Sequence, residues 1–158
     1  MGYTHYWERP AVLPLPQFIA AAEDCRRLCE GLAMPLGCAA GNDSPEFSAN
    51  QISFNGVGAA GCESFVVQRI VQPRHPREQP DQAWRSNFCK TNYRPYDLCV
   101  QGALIVLSHH LGSTMFRVTS DGQSRDWNAA RTACQRILGY GGDWGQDRLV
   151  PLLPQPVA

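Results

Sequence analysis

The sequence lacks an excess of charge of either sign, because Lys plus Arg and Asp plus Glu each number 14 among its 158 residues. A strongly basic composition is typical of proteins that bind nucleic acids or anionic membranes. The balanced composition therefore predicts neither a nucleic-acid partner nor a membrane partner. An apolar fraction of 44% favours a folded globular chain over a disordered one.

Long hydrophobic runs are also missing. The longest, around Ala103 to Leu107, is far too short to cross a bilayer, and the N-terminal MGYTHYWERP lacks the basic and apolar regions of a signal peptide. The seven cysteines are an odd number, whereas a secreted disulfide framework normally has an even one. We therefore expect a cytoplasmic protein with reduced thiols.

Motifs that would indicate a metal or cofactor are absent as well. No C-x-x-C pair occurs, and the neighbouring His109 and His110 would point about 100° apart on a helix, which disfavours a shared ion. The sequence has no G-x-S-x-G, H-E-x-x-H, Walker A or dinucleotide-binding motif. It predicts no cofactor and no metal site.

An enzyme nevertheless remains an open alternative. Cys89 with His109 or His110 would supply a nucleophile and a base, and a second set of residues would supply paired carboxylates, namely Glu63, Asp97 and Asp121. Each carboxylate also has a structural interpretation, as a strand-edge residue, a helix-start charge or a turn residue. The spacing does not decide between these interpretations.

The residues that are present predict one α+β domain over 1–145, followed by a Pro-rich tail over 146–158. We expect a mostly antiparallel sheet packed with about three helices. The predicted strands are Gly2 to Arg9, Ile52 to Asn55, Glu63 to Ile70, Phe88 to Thr91 and Met115 to Thr119. The predicted helices are Gln17 to Glu30 with Gly31 as its stop, Pro95 to Leu111, and one from about Trp127 to Leu138 with Gly139 as its stop.

Two segments read as loops. Pro35 to Asn50 is rich in Gly, Asn, Ser and Pro. The segment PRHPREQPDQAWR, residues 73–85, combines three prolines with many charges and predicts a mobile loop or lid that includes Trp84 and Arg85.

The same chain offers the parts of a binding site for a small anionic ligand. Aromatic side chains at alternate positions of the first strand would give a stacking surface, and cations beside a helix N-terminus would attract phosphate groups. The candidate ligand-binding residues are Tyr3, His5, Trp7, Lys90, Thr91, Arg94 and Asp97. Aromatic residues at strand spacing are more often core, so a second candidate is the GVGAAG turn with Asn55 and Glu63.

Several motifs, taken together, resemble a family of small bacteriophage proteins that begin MGYTHYW. The resemblance covers roughly residues 1–145 and rests on a set of short motifs. They are MGYTHYW itself, FNG at 54–56, E-x-F at 63–65, FCKT at 88–91, PYD at 95–97, HHLG at 109–112, SDG at 120–122 followed by Asp126 and Trp127, and LGYG at 138–141. The family brings no activity that can be assigned residue by residue.

The resemblance implies a phage origin and therefore expression in the cytoplasm of a host bacterium. Small accessory phage proteins often counter host defences, and some sequester nucleotide signals such as cyclic dinucleotides or ADP-ribose derivatives. We therefore expect an anti-defence protein that binds and sequesters a small anionic, nucleotide-derived molecule. The alternatives are a small hydrolase acting on a nucleotide and a protein that inhibits a host defence enzyme by binding it; a homo-oligomer is compatible with each.

Overall fold

A computed structural model describes residues 2–37, 44–78 and 84–147 and confirms the α+β class. Short turns of 3-10 helix at Gly58–Ala60 and Ser124–Trp127 accompany three α-helices. The helices are α1 (Leu15–Leu32), α2 (Asp97–Leu111) and α3 (Asn128–Leu138). Among these, none combines the length and apolar character needed to cross a bilayer.

The strands form two antiparallel sheets. The first has the order β6-β1-β7, and in the second β4 is central and pairs with β2, β3 and β5. The strands are β1 (Thr4–Pro10), β2 (Leu36–Gly37), β3 (Glu46–Phe47), β4 (Gln51–Gly56), β5 (Phe65–Gln68), β6 (Trp84–Lys90) and β7 (Arg117–Ser120).

The two sheets meet at two points and are separate between them. The backbone N–H of Glu63 donates to the carbonyl of Lys90 at 3.1 Å, and an isolated antiparallel bridge joins Val12 to Ile70. Between these points, and within the described residues, β5 pairs only with β4 and β6 pairs only with β1. A gap therefore remains between β5 and β6.

Helix α2 is the centre of the core, because every residue from Cys99 to Leu107 is buried. It packs against α1 and α3, as expected for a helix that is apolar on all sides. Gly102 allows the close approach of α1, since a Cβ atom there would lie 2.3 Å from the Leu28 side chain. The rest of the fold is arranged around the two ends of α2.

Three differences from the sequence-based prediction have identifiable causes. Gly31 does not stop α1, which continues to Leu32 and ends at Ala33 with φ of 50°. A Cβ atom at Gly31 would lie 2.9 Å from Ile137, so this glycine serves the contact between α1 and α3. The short strands β2 and β3 lie inside the predicted loop Pro35–Asn50, because both pair with β4.

The third difference concerns the predicted lid. Trp84 and Arg85 belong to β6, so the prediction that they lie in a mobile segment is wrong. Arg85 is 5% exposed, and its guanidinium pairs with the Glu78 carboxylate at 2.7 Å. The hydrogen bond from Arg85 lowers the pKa of Glu78 to about 2. Residues 79–83 lie outside the described part of the chain, as do residues 148–158 of the predicted tail.

Limited trypsin digestion tests this revised boundary. Arg74 and Arg77 lie in an exposed segment, so we expect early cleavage after one of them. The bond after Arg85 should be protected, because this residue is paired to β1 and its side chain is buried. Mass spectrometry of the first fragments would distinguish the sites, and early cleavage after Arg85 would contradict the assignment of β6.

The six described cysteines are free thiols. Five are buried and Cys62 is exposed, whereas Cys38 lies outside the described residues. In a Cys38→Ser variant we therefore expect one fast-reacting thiol in the native protein and six after denaturation without reductant. A count of fewer than six in the denatured protein would reveal a disulfide that the structure lacks.

Candidate functional site

The predicted stacking surface on β1 is not exposed. Tyr3, His5 and Trp7 are 2%, 0% and 2% exposed, because the alternation of β1 directs them into the core. The opposite face of the same strand presents Tyr6, which is 41% exposed and lies beside Phe88 of β6, 62% exposed. The expectation that Tyr3, His5 and Trp7 form an exposed stacking surface is therefore wrong.

His5 and Asp97 instead form a closed polar network at the N-terminal end of α2. His5 Nε2 lies 2.6 Å from Asp97 Oδ1, and His5 Nδ1 lies 2.8 Å from Ser120 Oγ. The Thr91 hydroxyl donates to Asp97 Oδ1 at 2.5 Å. The series Ser–His–Asp has the hydrogen-bond order of a catalytic triad, but His5, which would be the base, is fully buried, and Ser120 Oγ also accepts the backbone N–H of Gly122 at 2.9 Å. These contacts join β1, β7 and the first turn of α2.

Only Lys90 and Arg94 of the seven predicted residues are exposed. The carboxylate of Asp97 already lies in the first turn of α2, where an external anion was expected. A second carboxylate, Glu63, accepts the backbone N–H of Lys90 at 2.8 Å. Two native carboxylates therefore lie close to the predicted anion site.

The second sequence candidate, the GVGAAG turn, is held together by its own side chains. Asn55 donates to the Cys62 carbonyl at 2.9 Å and accepts from the backbone N–H groups of Gly56 and Cys62 at 2.7 and 3.1 Å. Its amide therefore closes the turn, and Glu63 is bonded to Lys90. These contacts leave Asn55 with a structural role.

The predicted pairing of Cys89 with His109 or His110 does not occur. Cys89 is fully buried, and burial raises the pKa of its thiol to about 12. Its Sγ lies 3.4 Å from the Glu63 carbonyl, near the start of α2, whereas both histidines are in the last turn of that helix. Twelve helical positions separate Asp97 from His109, a rise of about 18 Å. The thiol and the imidazoles are therefore at opposite ends of α2.

A concave surface lies at the C-terminal end of α2, facing the loop that follows α3. It is a cleft of about 700 Å³, within the range of small-molecule pockets. The loop that forms one wall contains Gly139 and Gly141, whose φ angles of 84° and 93° favour glycine. The cleft is lined by Ile105, Ser108, His109, Gln135, Gly139, Tyr140, Gly141, Gly142, Asp143 and Trp144.

Aromatic rings form much of the cleft wall. The His109 imidazole stacks on the Tyr140 ring with a centroid distance of 3.6 Å and an interplanar angle of 9°. Trp144 packs on the buried Trp127 at 4.5 Å. Tyr140 and Trp144 are partly exposed, so both rings contribute aromatic surface to the cleft.

A titratable cluster supports the stacked pair. Asp24 of α1 accepts a hydrogen bond from the Tyr140 hydroxyl at 2.7 Å and lies 2.9 Å from His110 Nε2. Burial acts to raise the pKa of Asp24, but its hydrogen bonds from Tyr140, His110 and Arg27 outweigh this and lower it. Burial raises the pKa of Tyr140, and the bond to Asp24 adds to the effect. The pKa of His109 is lowered by burial and by the neighbouring His110.

A second depression, of about 430 Å³, continues from the cleft along α3 and shares Gln135 and Gly142 with it. Arg131 and Arg136 line it. Arg131 donates to the Trp144 carbonyl at 3.1 Å and to Asn128 Oδ1 at 2.6 Å. Among the described residues neither arginine forms a salt bridge with a carboxylate, so the positive charge of both is unneutralised. We refer to the cleft and this depression together as the α3 groove.

The α3 groove was missed at the sequence level although parts of it were visible. The HHLG and LGYG motifs contain His109 and Tyr140. About 30 residues separate the two motifs, and no spacing rule indicates that the two rings stack. The part of the chain that the structure describes contains no group of three or more His, Cys, Asp or Glu side chains placed to hold a metal ion.

Comparison with known proteins returned no match to a family model, to a curated protein or to a solved structure. The function must therefore be inferred from the residues of this chain.

Proposed function

We propose that this protein binds a small anionic, nucleotide-derived molecule in the α3 groove and holds it without chemical change. The observation that supports the proposal best is the continuity of an aromatic cleft with a depression lined by two arginines. A nucleotide needs a flat apolar surface for its base and cations for its phosphates. The groove offers both within one concave surface.

The aromatic lobe suits a nucleobase and a ribose. A base stacked against Tyr140 or Trp144 would gain about 1–3 kcal/mol, the range of base–aromatic stacking. The same lobe contains the Asp143 carboxylate and the Gln135 amide, which are suitable partners for ribose hydroxyls. A bare inorganic anion would leave this half of the groove unused.

The basic lobe suits phosphates. Arg136 is exposed in the last turn of α3, and Arg131 is held in place by its carbonyl and amide partners. The exposed Arg136 guanidinium can bind phosphate oxygens with paired, charge-assisted hydrogen bonds, whereas Arg131 Nη2 already donates to Ser124 and Asn128. The negative C-terminal end of α3 stabilises the Arg136 guanidinium, which lies in the last turn of that helix.

Sequestration for anti-defence is the biological form of this proposal, and the resemblance to small bacteriophage proteins motivates it. A phage protein that captures a nucleotide signal needs affinity and no turnover. The nucleophile and base considered from the sequence do not form a site, because Cys89 is fully buried and lies at the opposite end of α2 from His109 and His110.

Calorimetry against a panel of cyclic dinucleotides, cyclic mononucleotides and ADP-ribose derivatives tests the proposal. We expect one member to bind and to be recovered chemically intact after the complex is denatured. A ligand at 100 times its Kd should add about 2.7 kcal/mol to the free energy of unfolding. Absence of binding across the panel would contradict the proposal and favour a protein partner, for which Tyr6 and Phe88 offer an exposed apolar surface.

A nucleotide hydrolase is a second candidate, favoured by His109. This imidazole lines the aromatic lobe, and its lowered pKa leaves it neutral at pH 7, as a general base must be. Under this alternative the panel ligand would be recovered cleaved. A His109→Gln variant should then lose turnover by about 10²–10⁴-fold while retaining affinity, whereas sequestration predicts an intact ligand with either protein.

A further inference from the structure

The gap between β5 and β6 contains a second cavity, which shares no lining residue with the α3 groove. Its volume is about 190 Å³, below the range of pockets that hold a whole nucleotide. Trp7, Arg9 and Asn87 of the β1–β6 pair line it, together with Ser64, Val66 and Phe88.

Arg9 places an uncompensated charge at this cavity. The side chain is 1% exposed and donates to four backbone carbonyls, those of Pro10, Ala11, Gln68 and Arg69. A guanidinium has five N–H groups, so one remains for another acceptor. No carboxylate in the described ranges 2–37, 44–78 and 84–147 lies within salt-bridge distance of Arg9.

A second buried arginine adds to this positive region. Arg85 lies directly opposite Arg9 in the β1–β6 pairing, and its only described carboxylate partner is Glu78. Burial and the charge of Arg85 lower the pKa of Arg9 to about 10, which keeps it charged at neutral pH. Two cations therefore face one carboxylate in an environment of low exposure, where an unbalanced charge is costly.

Trp7 contributes an unused donor. Its ring is 2% exposed and lines the cavity, and its indole Nε1–H is buried without a hydrogen-bond partner among the described residues. Buried donors are nearly always paired, so an unpaired donor beside a cavity is a candidate partner for a bound acceptor. Asn87, directly opposite Trp7 on β6, and the Ser64 hydroxyl add donors at the same cavity.

We infer that the gap between β5 and β6 is a binding site for one small oxyanion, a carboxylate or a phosphate group. Such an anion accepts hydrogen bonds from several donors at once and would supply the acceptors that Trp7 Nε1 and the fifth N–H of Arg9 lack. It would also balance the second arginine charge. The cavity volume limits the occupant to a single anionic group.

Thermal unfolding at constant ionic strength tests the inference, with acetate, inorganic phosphate and chloride as the probes. We expect acetate or phosphate at ten times its Kd to raise Tm by about 4 °C relative to chloride. The anion with the lower Kd shows whether the site prefers a carboxylate or a phosphate group. Trp7→Phe keeps a ring but removes the donor, so the Kd from the Tm titration should rise about ten-fold. Asn87→Ala is a second variant at the cavity and should also weaken binding.

Trp127→Phe is the matched control, because Trp127 is equally buried and its Nε1 also lacks a partner, but it does not line this cavity. It should leave the anion Kd unchanged. Equal stabilisation by all three anions, or the same Kd in the parent, Trp7→Phe and Asn87→Ala proteins, would overturn the oxyanion site without affecting the proposal for the α3 groove.

Discussion

Replacing Trp7 with alanine should lower the free energy of unfolding by about 3–5 kcal/mol, the range for truncating a buried Trp. The side chain is 2% exposed and packs against Phe65 at a centroid distance of 5.2 Å. The substitution would leave a large cavity where β1 and β5 meet. Urea unfolding followed by circular dichroism measures the loss.

Tyr6→Ala is the matched control for that variant. Tyr6 is the preceding residue on the same strand, but its ring lies on the outer face and is 41% exposed. Its replacement should change stability far less, on the order of 0.5–1 kcal/mol. Similar losses in both variants would mean that the two faces of β1 are assigned wrongly.

Asp97→Ala should be nearly as damaging, with a loss of about 3–5 kcal/mol. The substitution leaves His5 Nε2 and the Thr91 hydroxyl without the acceptor that they share. Both groups are fully buried, so each loses its partner inside the protein. Chemical denaturation of the two proteins side by side gives the difference.

Asp121→Asn provides the comparison for a carboxylate at the surface. Asp121 is exposed and accepts the backbone N–H of Thr4 at 3.0 Å, a bond that an amide oxygen can also accept. We expect a change within about 0.5 kcal/mol. If Asp97→Ala were as mild as this control, the network around His5 would contribute little to the fold.

The spacing of apolar residues was sufficient to predict the helices and most strands, because it reflects which side chains are buried. The apolar spacing of α1 and α2 predicted both helices to within about two residues at each end, the usual scatter of helix ends. The strands β2 and β3 could not be predicted, because a strand of two residues has no periodicity to detect. Their pairing with β4 is a tertiary contact.

The binding site was harder to predict for a related reason. Alternation on β1 placed Tyr3, His5 and Trp7 on one face correctly, but it does not state which face is buried. The depth of the α3 groove depends on Asp24, His109 and Tyr140, which come from three separate parts of the chain. No local pattern brings these residues together.

The affinity of a panel nucleotide for Arg136→Ala, compared with Lys90→Ala, tests the central proposal most directly. Both residues are exposed cations, so neither substitution should change stability by more than about 0.5 kcal/mol. A ligand in the α3 groove would lose a charge-assisted hydrogen bond in Arg136→Ala, worth about 1.5–3 kcal/mol. We therefore expect its Kd to rise ten-fold or more, while Lys90→Ala binds like the parent. Unchanged affinity in Arg136→Ala with weakened binding in Lys90→Ala would contradict the α3 groove and return the site to the N-terminal end of α2.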